Sequence, residues 1–224
     1  MIWYENHHYQ SQNWYSSTFL VHRFKDISRA KNGNKEWNNV EESGCHFTCF
    51  SMIIGVNPAY LVTKLRSTKK RYFLSDKYIP SLRINSNEET HLVWDKNRPS
   101  TINEKVQIKE LFVPQIGFVN LSIKLIESFE SASESETSKW IGRQRNMKRH
   151  IIAGPESHSF LVAGLDCDNK PLVWDPDTKG MSITEIKKMI DNGLKIQLIF
   201  KKHGINNENK LQLLSYIVEN DDIA

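Results

Sequence analysis

Cysteine is scarce in this chain, with three in 224 residues. That number is too small for a disulfide framework, and being odd it leaves at least one thiol outside any intramolecular pair. Long apolar runs are missing as well. Phe50-Ser51-Met52-Ile53-Ile54 is the longest such stretch, far below the ~20 residues that span a bilayer. The opening MIWYENHHYQSQNWY lacks the apolar core of a secretory signal, so a cytoplasmic location with reduced thiols is the default expectation, and export by a machine that reads another signal is the alternative. No Gly-rich phosphate loop or dinucleotide fingerprint occurs. Metal-ligand spacing is absent too: His7-His8 are adjacent rather than i, i+4, and Cys45-x-x-x-Cys49 has no second pair. No metal and no cofactor is expected. The net charge of +4 is too small to argue for nucleic acid, and neither nucleic acid nor membrane is expected as a partner.

What is present reads as one globular domain, residues 38–224, behind an irregular extension over residues 1–37. With 39% hydrophobic and 25% charged residues, the chain is long enough to close a core. In the extension, a short strand at Thr18–His22 and the aromatics Trp3, Tyr4, Trp14, Tyr15 and Trp37 are expected to pin the segment to the body. Cys45–Ile54 is an apolar run of helical length closed by Gly55, and Pro58 opens a second helix to Arg66. Val106–Pro114 reads as a strand and Val119–Phe129 as a helix. Residues 131–138, a Ser/Glu tract, read as a mobile loop. The basic patch Lys139, Arg143, Arg145, Lys148 and Arg149 reads as locally paired or solvated. Strands are expected at His150–Ala153, Ser157–Leu165, Pro171–Asp175 and Leu194–Lys201, with helices at Ile183–Ile190 (Ser182 as N-cap) and Lys210–Val218. The class is α+β, helices first and then an antiparallel meander.

Cys45 holds the position with the most chemical content. It follows Gly44 at the start of the apolar helix, where unsatisfied backbone N–H groups and the helix dipole favour a thiolate and can receive an oxyanion. Cys49, one turn on, reads as a small core residue. A nucleophilic thiolate requires a base, and the base an orienting group. His158 stands where a polar entry gives way to the apolar run Phe160-Leu161-Val162. Asp175 ends the next run, beyond the Asp166–Lys170 turn. An antiparallel pair would return Asp175 to His158, leaving one imidazole nitrogen for Cys45 and letting Trp174 or its neighbours shield the bond. His91-Leu92-Val93-Trp94-Asp95 repeats the Val-Trp-Asp element, but it precedes the histidine strand.

The blocks GCHFTCFSMIIG, VNPAYL, HSFLVAG and VWDP resemble the papain-like cysteine peptidases, and within them most closely the bacteriocin-processing (double-glycine leader) peptidase domains and their free-standing relatives in bacteria and phages. The resemblance implies a papain-like α+β fold in which a nucleophile helix packs on an antiparallel sheet. It also implies catalytic roles for Cys45, His158 and Asp175, and a peptide or protein substrate cleaved at a peptide or isopeptide bond. The family places Gly after the nucleophile, where this chain has His46. It places an oxyanion-binding Gln about six residues earlier, where this chain has Asn39. A side-chain deamidase or acyltransferase would use the same three residues, and an inert papain-like binding module would retain the fold alone.

Overall fold

The computed structural model describes residues 7–15, 44–66, 80–84, 90–94, 105–114, 116–155 and 158–223. The expected strand at 18–22 and Asn39 lie outside them, as do Trp3, Tyr4, Trp37 and Asp95. Among the described residues the architecture is α+β, and its main sheet has seven strands, all pairings antiparallel.

After a 3-10 turn at Gln12–Tyr15 come α1 (Cys45–Ile54) and α2 (Pro58–Arg66). Gly55 closes α1 at φ 82°, a left-handed cap that costs a glycine no Cβ clash. A separate hairpin pairs β1 (Pro80–Ile84) with β2 (Thr90–Trp94), the strand carrying the second Val-Trp element. The main sheet comprises β3 (Lys105–Val113), β4 (Gly117–Ser131), β5 (His150–Gly154), β6 (Phe160–Leu165), β7 (Pro171–Trp174), β8 (Leu194–Lys195) and β9 (Leu211–Asn220). Their spatial order is β3-β4-β9-β5-β6-β7-β8, so the last strand inserts between β4 and β5 and interrupts the expected meander. The remaining helices are α3 (Glu134–Asn146), α4 (Ile183–Asn192) and α5 (Ile196–His203).

Both faces of the sheet are covered. On one, α1 packs with Leu121, Ile123, Ile152, Leu161, Leu214 and Tyr216. On the other, Trp140 and Ile141 of α3 and Ile196, Ile199 and Phe200 of α5 pack on Ile151, Phe160, Val162, Val173 and Leu213. Removing such side chains from water contributes roughly 1.5–3 kcal/mol each.

Four sequence expectations are corrected here. Val119–Phe129 is strand, because Val119, Leu121, Ile123 and Leu125 are buried at a spacing of two. The expected closing helix at Lys210–Val218 is instead the strand β9, Leu211–Asn220. The tract at 131–138 enters a helix: the Ser133 side chain accepts from the Glu136 N–H, Glu134 and Glu136 sit at the positive dipole end, and Thr137, Trp140, Ile141 and Gln144 form the buried stripe. Only Leu194–Lys195 of the expected strand at 194–201 is extended, since Ile196, Ile199 and Phe200 recur at helical spacing on the sheet. Ser182 does cap α4, in a reciprocal bond with Glu185.

Glu127 anchors α3 to β4. Its carboxylate accepts from Trp140 Nε1 (2.9 Å), Gln144 Nε2 (2.8 Å), Arg143 (2.6 Å) and Arg149 (3.5 Å). Two members of the basic patch are therefore paired with this strand. Gly142, on the same helix, has nothing within 4 Å of an added Cβ. Gly142→Ala is expected to raise stability by about 0.5–1 kcal/mol, the backbone-entropy gain in a helix interior, measured by urea unfolding.

Candidate active site

The hairpin β6–β7 sets up the site. Its register pairs Leu161 with Trp174, so the residues just before β6 and just after β7 emerge together at one end of the sheet. The connecting turn is held by Asp166 Oδ1, which accepts from the N–H groups of Asp168 and Lys170. At the open end, His158 Nε2 lies 2.7 Å from Asp175 Oδ1. Asp175 is fully buried and the His158 side chain is 13% exposed. His158 precedes β6 by two residues instead of opening it, in a segment that folds back over β5. A Cβ on Gly154 would lie 1.9 Å from the His158 carbonyl oxygen.

Cys45 arrives from α1. Gly44 offers no side-chain cap, and the helical ladder begins with Thr48 N–H to the Gly44 carbonyl at 2.7 Å. The Cys45 side chain hydrogen-bonds to His158. With Nε2 engaged by Asp175, the nitrogen left for sulfur is Nδ1. The structure therefore brings Cys45, His158 and Asp175 together in the order expected from the sequence.

Burial works against a charged His158, but the hydrogen bonds and charges of Asp175 and Cys45 prevail and raise its pKa to about 10. Burial would raise the Asp175 carboxyl. His158, Lys202 and the Asp177 N–H outweigh it and hold Asp175 below its ordinary range. Burial pushes the Cys49 thiol well above its usual range, as befits a core residue at 0% exposure. Cys167 is exposed in the hairpin turn.

Several contributors were not visible in the sequence. His46 is buried between α1 and β9, its Nδ1 3.1 Å from Ser159 Oγ and its Nε2 3.5 Å from the Tyr216 hydroxyl. It ties the residue after Cys45 to the residue after His158, a structural task that glycine could not perform. The rings against His158 are those of Phe160 (4.7 Å) and His203 (5.9 Å). Trp174, expected with its neighbours as a shield, stands on Tyr9 and His7 and donates to the Ile190 carbonyl. Residues 7–13 run along the Asp175 loop. Tyr9 donates to the Asp175 carbonyl at 2.9 Å, Ser11 and the Gln12 N–H donate to the Pro176 carbonyl, and Thr178 N–H donates to Asn13. Polar contacts to the backbone attach this segment, and of the expected aromatics among the described residues Tyr15 packs against the core. Trp14 is 56% exposed.

Burial lowers both His7 and His46 to about 3, and for His7 the neighbouring His150 adds to the effect. The unfolded chain binds protons at these positions below about 6.5, whereas the folded chain does not. Stability is therefore lost as pH falls from about 6.5 toward 3. His158 acts oppositely: its contribution is full below about 6.5 and is lost as pH rises through about 10. Thermal melts across pH are expected to give maximal stability near 6.5. His46→Gln should flatten the acid side and His158→Gln the alkaline side.

No protein-family model, curated protein or solved structure matches the chain. Among the described residues, no group of three or more His, Cys, Asp or Glu side chains is placed to hold a metal ion. No helix among them is long and apolar enough to cross a membrane.

Proposed function

We propose that this protein is a papain-like thiol hydrolase that cleaves a peptide or isopeptide bond. One observation carries the reading: His158 bonds buried Asp175 through Nε2 at 2.7 Å while its ring also bonds the sulfur of Cys45 at a helix N-terminus. In this mechanism the Cys45 thiolate adds to the carbonyl carbon of the substrate. The oxyanion is met by N–H groups at the start of α1. The His158 imidazolium gives its proton to the departing amine, leaving an acyl-Cys45 thioester. Neutral His158 then takes a proton from water as that water attacks the acyl carbon, and acid is released with Cys45 restored. Asp175 remains ionised throughout and holds the imidazole in one orientation.

Alkylation separates this reading from an inert fold. Cys45 is 8% exposed, Cys49 is fully buried and Cys167 is exposed. Access alone would make Cys167 react first. The proposal expects iodoacetamide at pH 6 to modify Cys45 first, well below the ~8.5 of an ordinary thiol, with the adduct located by mass spectrometry. Prior modification of Cys167, or equal slow labelling of both, would refute it. A protein substrate that exchanges an amide for an acid without splitting would redirect the same chemistry to side-chain deamidation.

A further inference from the structure

The last turn of α5 reaches the site from the face of the sheet opposite α1. Lys202 Nζ lies 3.3 Å from Asp175 Oδ2, and the next residue, His203, stacks on the His158 ring at 23°. Among the described residues, the partners of the Asp175 carboxyl group and carbonyl come from four places. His158 and the Asp177 N–H meet Oδ1, Lys202 meets Oδ2, and Tyr9 meets the main-chain oxygen.

We propose that Lys202 is a positioning residue for the His158–Asp175 pair: by engaging Oδ2 it sets the rotation of the carboxylate and keeps Asp175 ionised when Cys45 reacts. The inference rests on the thiol-hydrolase reading and deepens it.

The geometry leaves the carboxylate little choice. A buried carboxylate that accepts from an imidazole through one oxygen needs a partner for the other, or it turns and loosens the bond that orients the base. Lys202 supplies that partner from the surface, since its side chain is 56% exposed while Asp175 is fully buried. Only the ammonium needs to reach inward, so the apolar stem leaves no cavity behind when it is shortened or exchanged. The charges facing Asp175 have opposite tendencies. His158 and Lys202 favour the carboxylate. Cys45 acts on the same imidazole, Tyr9 feels Asp175 and Asp177, and Cys49 lies near enough to feel Asp175. His203 is held toward its neutral form by burial and by the His158 and Lys202 charges, so it covers the imidazole without competing for its charge.

The experiment compares the full chain with Lys202→Met and Lys202→Arg. Two quantities are followed between pH 2 and 8: the Asp175 carboxyl resonance and the rate of Cys45 alkylation. In Lys202→Met the Asp175 titration is expected to move up by a few tenths of a pH unit, the range of a partly exposed ion pair, and the acid-side fall of the alkylation rate to move up with it. Lys202→Arg is expected to restore both. A purely structural role for Lys202 would lower the melting temperature while leaving the Asp175 titration in place. An unmoved titration in Lys202→Met, or a shift that Lys202→Arg fails to reverse, overturns the proposal. The titration is read without any turnover. If Cys45 shows no selective alkylation in the unaltered chain, the hydrolase reading fails by itself while the carboxyl resonance still decides what Lys202 does.

Discussion

Turnover of an activated ester such as p-nitrophenyl acetate is expected to fall about 10²–10⁴-fold in His158→Ala, the usual contribution of a positioned acid–base side chain. Alkylation of Cys45 at pH 6 should fall in parallel, because the imidazolium that bonds the sulfur is gone. Three features of the site set the size of the effect. His158 is bonded to both the thiol and a buried carboxylate. Phe160 packs edge-on against its ring, so water replaces the imidazole poorly. The truncation also strands Asp175 with Lys202 and the Asp177 N–H, which shifts the carboxyl upward and removes the preference for a cation nearby. Steady-state ester hydrolysis together with adduct mapping measures both consequences. An alanine variant with unaltered ester turnover would remove His158 from the mechanism. A variant that loses turnover and melts far earlier would be compared with His158→Gln, which keeps bulk and polarity without a titrating ring.

The second large effect requires no change to any of the three central residues. Gly154→Ala would put a Cβ 1.9 Å from the His158 carbonyl oxygen, 2.8 Å from its carbonyl carbon and 2.9 Å from Ser159 Cα. All three are backbone atoms, so no side chain can swing away. Either β5 must move or the segment carrying His158 and Ser159 must lift. β5 is paired with β6 on one side and β9 on the other, so the segment yields more easily. Lifting it draws His158 off Asp175 and Ser159 off His46. The expected result is a destabilisation of about 1–3 kcal/mol, as for other overpacked sites, with a loss of ester turnover approaching that of His158→Ala. Unfolding in urea and ester hydrolysis check the two parts. Gly142→Ala, the same change on an uncrowded helix, serves as the control and is expected to stabilise without touching turnover. A Gly154→Ala chain with native turnover would show that His158 and Ser159 do not need their place against Gly154.

Local rules were sufficient where one face or one cap dominates. The α1 boundaries could be read from Gly44, the apolar run and Gly55, and the α4 boundaries from Ser182 and Gly193, because caps act within a few residues of the chain. They failed where burial came from elements far away. β9 lies between β4 and β5 with both faces covered. Leu211, Leu213 and Ser215 are buried alongside Leu214, Tyr216 and Val218, and such a strand loses the alternation that identifies it. α5 was obscured by the β-forming composition of Ile196, Ile199 and Phe200. The start of α3 was obscured because its apolar residues, Trp140 and Ile141, come after the polar tract that caps it.

From the sequence alone came an α+β chain, a thiol at a helix N-terminus, and a histidine and an aspartate on neighbouring runs in a workable order. Those conclusions depend on residue type, local caps and spacing along the chain. Only the tertiary structure decided that Nε2 of His158 bonds Asp175, that the Cys45 sulfur reaches the same ring, and that Lys202 and His203 complete the surroundings. It also decided that His46 is a buried tie between the two halves of the site. Each of these depends on which strands pair, in what register, and which helix crosses the sheet end. Those choices are made by burial summed over the whole chain, and no short window of sequence contains that sum.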